Sequence, residues 1–437
     1  MRVLIVGRGG REHALAWKMR QSPLVSAIYG TKPNAGMTPF VIDVGIAPSD
    51  VAGLVRFATY ADLGLVVIGP EAPLAAGLAD RLRDVGVVVV GPSQAAARLE
   101  SSKWFGKTCM REAGISTPSA ILVQSYEAAQ EALARVRFPI VIKADGLAFG
   151  KGVRICHSYF EALETLTAFM RDRIFGEAGS AVLLEEFVSG PELSLFALVS
   201  GQSVLPFGSC QDYKRLLDGD FGPNTGGMGS ISPASGVSVE QEEDWTRRLV
   251  VPLIKRLAEM GIEYRGFLYA GVILTNNGPM VLEINVRLGD PETQSLLPRC
   301  KSDIVPALLA VGRGQEIHSI PLDWSSCSTV SVVAAANGYP DEFLVGGSVI
   351  GLGRASSVDG TYVFHGGTDS IRNDGDEWNP TVSVSGGRVL TVTGIGNTFS
   401  ESRDLAYRTM EMIHFEGKVT RTDIGAASVG VGVNKKQ

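Results

Sequence analysis

Three polar side chains, Glu283, Asn285 and Arg287, stand at every second position of the stretch 281–287. Strict alternation with apolar residues predicts a half-buried strand, which places the three side chains on one face. The alternate residues expected to face the core are Leu282, Ile284 and Val286. A carboxylate and an amide offer the oxygen ligands that Mg²⁺ prefers, and a guanidinium binds phosphate oxygens in a fork. The row therefore predicts a metal held against phosphate, although an edge strand facing water would show the same alternation.

Two further segments carry polar residues suited to binding. Gly289 is expected to end the strand, and the following Asp290 and Glu292 bring two more carboxylates into the same neighbourhood. The segment 218–229 is too rich in Gly, Asn, Asp and Pro to form a helix or a core strand. A long ordered loop in a compact domain is more often functional than idle, so we expect this loop to have a function.

The first hundred residues must position a second set of loops. Apolar runs at Val3–Val6, Leu65–Ile68 and Val87–Val90 alternate with helical patterns, which predicts the parallel strands of a doubly wound α/β sheet. Ligands of such sheets bind at the carboxyl ends of the strands. The loops expected at those ends are 7–11, 34–36 and 69–73. Because Glu12 occupies the third glycine position of a dinucleotide fingerprint, we expect backbone N–H groups that bind a sugar phosphate, although a plain strand-to-helix turn would also fit.

A second unit, with a lysine-bearing loop, is predicted to follow the first. The strand 138–144 leads into the glycine-rich loop 145–152, which carries Lys151 and is called the lid loop below. Only three residues separate Gly146 from the Gly-Lys pair, so this loop is not a P-loop. We expect two strands joined by a flexible loop that closes over phosphates, with an ordinary surface hairpin as the alternative.

Adjacent acidic residues, Glu185 and Glu186, follow a short strand at 182–184. Carboxylates at that point can hydrogen-bond an adenine amino group and ribose hydroxyls, or they can be solvated charges. The Ser-Gly-Pro sequence at 189–191 is typical of a hinge between domains.

Composition excludes several classes of protein. The chain has 437 residues, a net charge of −6 and a pI of about 5.6, so nothing favours nucleic acid or an anionic membrane as a partner. No apolar run approaches the roughly 18 residues of a membrane span. The five cysteines form no Cys-x-x-Cys pair and the five histidines are dispersed, which predicts reduced thiols in the cytoplasm and argues against a zinc site.

The last hundred residues change character near residue 326. Apolar runs predict strands at Ser328–Ala336 and Tyr362–Phe364, a Val382–Thr393 hairpin turning on Gly386-Gly387, and a helix near 400–413. No residue pattern there indicates chemistry, so we expect this part to contribute packing alone. The predicted domains are an N-terminal sugar-phosphate domain at 1–102, a linker helix with a lid subdomain at 103–190, a large subdomain with the metal site at 191–325, and a small strand-rich domain at 326–437.

Five motifs occur in order between residues 10 and 294, within a family match that runs from residue 2 to about residue 412. They are Gly-Arg-Glu-His-Ala-Leu at 10–15, Gly-Pro-Glu-Ala-Pro-Leu at 69–74, Lys-Ala-Asp-Gly-Leu-Ala at 143–148, Gly-Pro-Asn-Thr-Gly-Gly-Met-Gly at 222–229 and Arg-Leu-Gly-Asp-Pro-Glu-Thr-Gln at 287–294. Together they resemble the glycinamide ribonucleotide synthetase family, ATP-grasp ligases of purine biosynthesis. The last two motifs are specific to that resemblance, whereas the glycine-rich start alone would be weak.

The resemblance implies an α/β ATP-grasp fold and a reaction that joins glycine to 5-phosphoribosylamine using ATP, through glycyl phosphate. It implies that Glu283 and Asn285 bind Mg²⁺ or Mn²⁺, and that Arg287, Asp212 and Asp290 are catalytic. It also implies binding residues: Lys103, Lys143 and Lys151 for phosphate charge; Glu185, Glu186, Val188 and Glu192 for adenosine; Gly9, Gly10, Arg11, Asn34, Ala35, Gly36, Pro70 and Glu71 for the sugar phosphate; and Asn224, Thr225 and Gly226 for glycine and the amine. The partners implied are these small molecules, and a monomer is expected.

Departures from the family pattern are few. Tyr213 stands where a histidine is usual, Ser101 where glycine is usual, and Leu288 where phenylalanine is usual. The strand 267–274 lacks the acidic metal ligand that many ATP-grasp relatives carry, so the number of metal ions stays open. Three alternatives remain: another ATP-grasp carboxylate–amine ligase, a nicotinamide oxidoreductase disfavoured by Glu12, and an idle nucleotide-binding regulator disfavoured by the intact polar row.

Overall fold

The structure, a computed structural model, describes residues 1–148, 150–373 and 376–429. Phe149 of the predicted lid loop and residues 430–437 of the predicted last domain lie outside the described residues. No described helix is both long enough and apolar enough to cross a membrane.

The N-terminal part is a five-stranded parallel sheet in the order β3-β2-β1-β4-β5. Its elements are β1 Arg2–Val6, α1 Gly10–Met19, β2 Ala27–Gly30, β3 Ile42–Asp43, α2 Val51–Tyr60, β4 Leu63–Ile68, α3 Glu71–Ala75, α4 Leu78–Asp84, β5 Val89–Val90 and α5 Gln94–Ser101. The parallel sheet predicted from the apolar runs is confirmed, and β1 pairs with both β2 and β4. The loops at 7–9 and 69–70 consequently leave neighbouring strands at the same edge.

The lid subdomain is a four-stranded antiparallel sheet in the order β6-β9-β7-β8, reached through one linker helix. Its elements are α6 Lys103–Glu112, β6 Ala120–Val123, α7 Tyr126–Leu133, β7 Ile140–Ala144, β8 Val153–Cys156, α8 Tyr159–Leu166 and β9 Val182–Glu186. Ser102 caps α6 by accepting from the Phe105 N–H at 3.1 Å, which fixes the start of the helix at Lys103. The predicted pair of strands around the lid loop is confirmed, since Lys143 pairs with Val153.

A single eight-stranded sheet, in the order β16-β15-β10-β11-β14-β17-β21-β18, spans the rest of the chain. Its first part comprises β10 Glu192–Ser200, β11 Ser203–Asp212, β12 Arg215–Leu217, β13 Phe221–Asn224, β14 Gly229–Ser232, α9 Val239–Trp245, α10 Val251–Glu259, β15 Arg265–Thr275, β16 Gly278–Asn285, α11 Glu292–Leu296 and α12 Val305–Gly312, of which β12 and β13 form a separate exposed ribbon. Antiparallel pairing of β14 with β17 continues the sheet across residue 326, with Ser230 opposite Ser331.

The C-terminal part completes that sheet and adds a two-stranded ribbon, β19-β20. Its elements are β17 Ser328–Ala335, α13 Leu352–Ala355, β18 Thr361–His365, β19 Thr368–Asn373, β20 Asp376–Val384, β21 Arg388–Gly396 and α14 Phe399–Met410. The predicted 382–393 hairpin is wrong, because β20 pairs with β19 whereas β21 pairs with β17 and β18. Gly386 lies directly against Gly367, where a Cβ on either residue would meet the other backbone, and this close contact lets the chain pass from one sheet to the other.

The hydrophobic core joins the N-terminal sheet to the eight-stranded sheet. Leu4 and Val66 of the parallel sheet share one core with Leu268 and Ile284 of the antiparallel sheet, and all four are buried. Because both sheets contribute to one core, the strand that carries the polar row is held rigidly against the N-terminal loops.

Candidate active site

Strand β16 carries the polar row but differs in two details from the sequence prediction. A β-bulge at Leu282 interrupts its pairing with β15, so that Val281, Ile284 and Val286 enter the core whereas Leu282 is only half-buried. The expectation that Leu282 faces the core is therefore wrong. The strand also ends at Asn285, before Gly289. Just beyond its end, the Val286 N–H donates to Glu100 Oε2 of α5 at 2.8 Å.

Glu283, Asn285 and Arg287 lie side by side, as the alternation predicts. Asn285 Nδ2 is 3.4 Å from Glu283 Oε1, and Arg287 Nη2 is 3.4 Å from Asn285 Oδ1. Burial alone would raise the pKa of Glu283, but the ammonium groups of Lys214, Lys143 and Lys103 hold it below its usual value. Glu283 is thus an ionised carboxylate among three cations.

The donor set fits Mg²⁺ or Mn²⁺. A carboxylate and an amide oxygen are hard ligands, and no described group of three or more His, Cys, Asp or Glu offers a competing site. Gly271 lies opposite Glu283 on β15, so the neighbouring strand adds no carboxylate at that register. With one anionic ligand and three nearby lysines, the site is better suited to a metal that arrives with polyphosphate than to a free cation.

Arg287 is anchored by two carboxylates of the N-terminal part. Its Nη2 lies 2.7 Å from Glu100 Oε1 and its Nε lies 3.1 Å from Glu71 Oε2. Its Nη1 donates to the Leu288 carbonyl at 3.2 Å. Together with the contact to Asn285, these bonds occupy four of the five N–H donors of a guanidinium, which leaves one for a ligand. The two carboxylates raise the pKa of Arg287 against the effect of burial, so it stays charged.

Two of the three lysines predicted to neutralise phosphate, Lys103 and Lys143, lie at different depths in the site. Lys103, at the start of α6, donates to the carbonyls of Ala144 and Gly146, each at 2.9 Å, which places it beside the lid loop. Lys143 lies deeper, 2.5 Å from Glu185 Oε1 and 3.2 Å from the carbonyl of Leu282, which the bulge leaves available. Burial lowers the pKa of Lys103, and Glu283 opposes that effect.

Glu185 is surrounded by cations. Its side chain is 2% exposed, and Lys107 Nζ lies 2.5 Å from its second oxygen. The predicted adenosine residue therefore contacts two lysines, and Lys107 is a buried cation that sequence reasoning missed. A lysine four positions after Lys103 on one helix face was the available signal.

The remaining residues of the predicted nucleotide site lie at its rim. Glu186 is exposed and accepts from Ser119 Oγ at 2.8 Å, and Val188 is half-buried. Exposed Glu192 lies 3.3 Å from Lys214 Nζ. Lys151 of the lid loop is 4.0 Å from Asp341, so it reaches the C-terminal part.

Asp212, at the end of β11, forms an ion pair with Lys214, whose side chain is 37% exposed. Their charged atoms are 4.0 Å apart, and the Asp212 side chain is 8% exposed. Burial raises the pKa of Asp212 to about 7, despite the opposing charge of Lys214. Asp212 is also the strongest reason that the pKa of Lys214 lies well above its usual range.

A cavity of about 320 Å³ opens where the N-terminal loops meet Asp290 and the C-terminal part, and is called the junction cavity below. It is lined by Arg8, Gly9, Gly10, Asp290, Gly366, Gly367, Ser385, Gly386, Arg388, Leu390 and Thr391. The expectation that the C-terminal part contributes only packing is wrong, because β21 and two glycine turns form one wall of this cavity. The buried Ser385 hydroxyl has no hydrogen-bond partner among the described residues.

Asp290 is held at the centre of this cavity by three parts of the chain. It accepts from the Arg11 N–H at 3.1 Å and from Gln294 Nε2 at 2.9 Å, and it lies 3.3 Å from Arg388 Nη1. Burial alone would raise its pKa, but Arg388 and Arg11 lower it, so Asp290 is an ionised carboxylate.

The predicted sugar-phosphate loops divide into two groups. Gly9 and Gly10 line the junction cavity, and a Cβ on Gly10 would come within 2.4 Å of Gln294 Nε2, so a larger residue would displace that amide. Asn34 instead is fully buried and donates to the Arg8 and His365 carbonyls, each at 2.7 Å.

Neighbouring loop residues support these two groups. Ala35 is buried beside Gly36, and Pro70 precedes the Glu71 that holds Arg287. Glu12 lies beneath the loops, accepting from the Gly9 N–H at 2.6 Å. The side chain that excluded a dinucleotide fingerprint thus shapes the turn.

The 224–227 loop is fixed by the C-terminal part. Thr225 Oγ1 donates to the Lys214 carbonyl at 2.8 Å, while the Gly226 N–H donates to the Tyr339 hydroxyl at 2.9 Å. Arg388 Nη1 donates to the Gly226 carbonyl at 2.7 Å. Asn224 ends the exposed ribbon that precedes the loop. Arg388 therefore joins this loop to Asp290, and sequence reasoning missed it because an arginine opening an apolar strand carries no pattern.

Comparisons with known proteins agree along the whole chain. The phosphoribosylglycinamide synthetase N domain matches residues 1–100, the phosphoribosylglycinamide synthetase ATP-grasp (A) domain matches 101–293, and the corresponding C domain matches 329–427. A phosphoribosylamine–glycine ligase of Yersinia pestis is 43% identical, with 99% of this chain and 100% of that protein covered. One of Caulobacter vibrioides is also 43% identical, with 97% of each covered.

Solved structures also include a similar protein of the same family. The crystal structure of a phosphoribosylamine–glycine ligase from Thermotoga maritima superposes with a TM-score of 0.80 at 34% identity, covering 97% of this chain and 100% of that chain. A biotin carboxylase from Campylobacter jejuni, solved as a complex with β,γ-ATP, has a TM-score of 0.73 but is 14% identical over 98% of this chain and 94% of that chain. The second likeness shows the ATP-grasp fold alone.

Proposed function

This chain belongs to the phosphoribosylglycinamide synthetase family, and on that premise we propose that it joins glycine to 5-phosphoribosylamine using ATP, in purine biosynthesis. The products are glycinamide ribonucleotide, ADP and phosphate. One observation supports the assignment beyond the family: Arg287 of the polar row and Arg11 of the sugar-phosphate loops bind the same oxygen, the Leu288 carbonyl. Arg287 donates to that oxygen at 3.2 Å and Arg11 Nη1 donates to it at 3.1 Å. A nucleotide site and a sugar-phosphate site would therefore share one wall.

The chemistry requires two steps, because a carboxylate is a poor acyl electrophile. A glycine carboxylate oxygen attacks the γ-phosphorus of ATP, and the bond from that phosphorus to the ADP oxygen breaks. The resulting glycyl phosphate has phosphate as its leaving group. The neutral amine of phosphoribosylamine then attacks the carbonyl carbon, phosphate leaves, and the nitrogen loses a proton.

Named residues support each step. Lys103 and Lys143 neutralise phosphate charge, and the one free N–H of Arg287 is available to the transferring group. Glu283 and Asn285 would hold Mg²⁺ or Mn²⁺, which supplies Lewis-acid stabilisation of phosphate charge when bound. Asp212, whose pKa burial raises to about 7, has the basicity expected of a group that accepts the amine proton.

The sugar phosphate is proposed to occupy the junction cavity. Arg8 and Arg388 provide positive charge, the Ser385 hydroxyl provides an unused polar atom, and Gly9 and Gly10 allow close approach of the ligand to the backbone. Asp290 holds Arg388 and the start of α1 in place. The negative charge of Asp290 is therefore already compensated before substrate arrives.

One assay tests the assignment. ADP release by the purified chain should require glycine and freshly made phosphoribosylamine together, with a divalent metal, and one glycinamide ribonucleotide should form for each ADP. Omitting either substrate should leave background hydrolysis. Equal ADP release with another amine or another carboxylate would contradict this assignment and favour a different ATP-grasp carboxylate–amine ligase.

A further inference from the structure

Lys107 is a buried cation to which the proposed reaction gives no role. Its Nζ lies 2.5 Å from Glu185 Oε2, and it donates to Thr117 Oγ1 at 2.7 Å and to the Pro118 carbonyl at 3.1 Å. The side chain is 2% exposed and these contacts hold its ammonium group away from the cleft. Lys107 therefore cannot contact a nucleotide itself.

The contacts of Lys107 belong to a closed ring that begins and ends on β16. Thr117 Oγ1 donates to the Val281 carbonyl at 2.7 Å. On the other side, Glu185 Oε1 lies 2.5 Å from Lys143, which donates to the adjacent Leu282 carbonyl at 3.2 Å. The ring joins the linker helix and the lid subdomain to the strand that carries the polar row.

Charge in this ring is shared unevenly. One carboxylate, Glu185, lies between two ammonium groups, so the three side chains keep a net positive charge. Without Lys107 the full carboxylate charge would act on Lys143 alone, neutralising it and drawing it away from the cleft. A buried carboxylate that has lost one partner acts strongly on the remaining charge, here that of Lys143, because its surroundings screen charge little.

We propose that Lys107 is a positioning residue for ATP: by sharing the Glu185 carboxylate, it keeps the charge of Lys143 available to the nucleotide phosphates. The inference rests on the proposed function, since it takes ATP as the ligand. This role differs from a general structural role, because Lys107 would affect the binding of phosphate groups and leave the adenosine part of the site unchanged.

Calorimetry with two nucleotide ligands separates these roles. Lys107→Met should weaken ADP binding in the presence of Mg²⁺ by about tenfold to a hundredfold, which is the effect of weakening one charge-assisted phosphate contact. Binding of adenosine, which has no phosphate, should stay within about twofold of the wild type. Lys18→Met is the matched control, because Lys18 is also a buried lysine and donates to the Cys300 carbonyl, far from Glu185 in the sequence.

A double variant tests the sharing of charge. Combining Lys107→Met with Glu185→Gln removes the carboxylate that would otherwise neutralise Lys143. ADP affinity of the double variant should therefore match that of Glu185→Gln alone to within about threefold, so that the two substitutions are strongly non-additive. A structural role for Lys107 predicts the opposite, since a second buried substitution would weaken binding further.

The wild-type protein gives an independent readout that needs no variant to fold. Burial lowers the pKa of Lys107 to about 8 against the opposing charge of Glu185, and Lys143 and Arg111 lower it further. ADP affinity should therefore fall as the pH rises from 7 to 9, and this dependence should be smaller in Lys107→Met, which retains Lys103. Unchanged ADP affinity in Lys107→Met, equal losses for ADP and adenosine, or a flat wild-type profile would each overturn the proposal. Absence of ligase activity would instead contradict the proposed function, since nucleotide binding is measured without turnover.

Discussion

The Glu100 carboxylate binds two consecutive residues, Val286 and Arg287, at the end of the segment that carries the polar row. Its Oε1 lies 2.7 Å from Arg287 Nη2, and its Oε2 accepts the Val286 N–H at 2.8 Å. Glu100 lies in α5, just before the linker helix, so one side chain fixes both the backbone after β16 and the direction of the guanidinium. Burial, opposed by Arg287, raises the pKa of Glu100, which shows how far this pair is removed from water.

Glu100→Gln should lower kcat by about tenfold to a hundredfold, since a charge-assisted contact contributes about 1.5–3 kcal/mol. A glutamine amide has one acceptor atom, so it cannot receive the Val286 N–H and the guanidinium on separate oxygens as Glu100 does. The KM for ATP should change little, because the lysines remain. Glu112→Gln is the control, since its half-exposed pair with Arg256 should contribute almost nothing. Equal kinetics in the two variants would show that Arg287 needs no anchor.

Glu283→Gln should keep the fold but remove most turnover with Mg²⁺. The amide is nearly isosteric, so packing is preserved, while the metal site loses its only described anionic ligand in the polar row. Steady-state assays and thermal unfolding would separate the two effects. Glu127→Gln, at an exposed position of α7, is the matched control. Near-normal activity of Glu283→Gln would mean that this strand face is structural.

The sequence predicted the polar row because a period of two is a property of neighbouring residues. It missed the bulge at Leu282, since the extra residue is visible only against the pairing of β15. It missed the roles of Glu100 and Lys107 for a related reason. Each is a charged residue on a helix whose partner is distant in the sequence, so no local pattern marks it.

The junction cavity shows more clearly that residues joined only by tertiary packing cannot be predicted from local sequence patterns. Gly9 and Gly10 were predicted from their place after β1, a local signal. Arg388 was not, because its contacts to Asp290 and the 224–227 loop lie 98 and 162 residues away in the sequence. The glycines at 386–387 were read as a hairpin turn, whereas contact with Gly367 directs the chain into another sheet.

Arg388→Met should raise the KM for phosphoribosylamine by about tenfold or more while the KM for ATP stays nearly constant. The substitution removes one positive charge from the junction cavity and one anchor of Asp290. Measurement in the reverse direction, with glycinamide ribonucleotide, avoids the unstable amine. Arg354→Met, at an exposed position of α13, is the control. An unchanged KM for the ribonucleotide would exclude this cavity as the sugar-phosphate site.

Acid should weaken the contact between the N- and C-terminal parts. The backbone N–H of His365 donates to His13 Nδ1 at 2.8 Å. Burial lowers the pKa of His365 to about 4 and the pKa of His13 well below its usual value. Between pH 6.5 and pH 4 the unfolded chain binds protons that the folded chain excludes, so stability is full above pH 6.5 and falls with acidification. From pH 7 to pH 5 the loss should be about 2 kcal/mol for His365.

Urea unfolding at both pH values would measure this loss. His365→Gln should reduce the pH dependence, although it also lowers stability at pH 7. His318→Gln should leave the dependence intact, since His318 is exposed beside Glu316. The same pH dependence in both variants would mean that other groups cause it.

The acyl phosphate route makes a prediction about single oxygen atoms. When a glycine oxygen attacks the γ-phosphorus, that oxygen becomes the bridge between carbonyl carbon and phosphorus. Attack by the amine breaks the carbon–oxygen bond, so the oxygen leaves with phosphate. Glycine labelled with ¹⁸O in its carboxylate should therefore transfer one label to each phosphate released, as mass spectrometry would show. Hydroxylamine in place of phosphoribosylamine should trap glycine hydroxamate in an ATP-dependent way. Unlabelled phosphate during productive turnover would exclude the acyl phosphate.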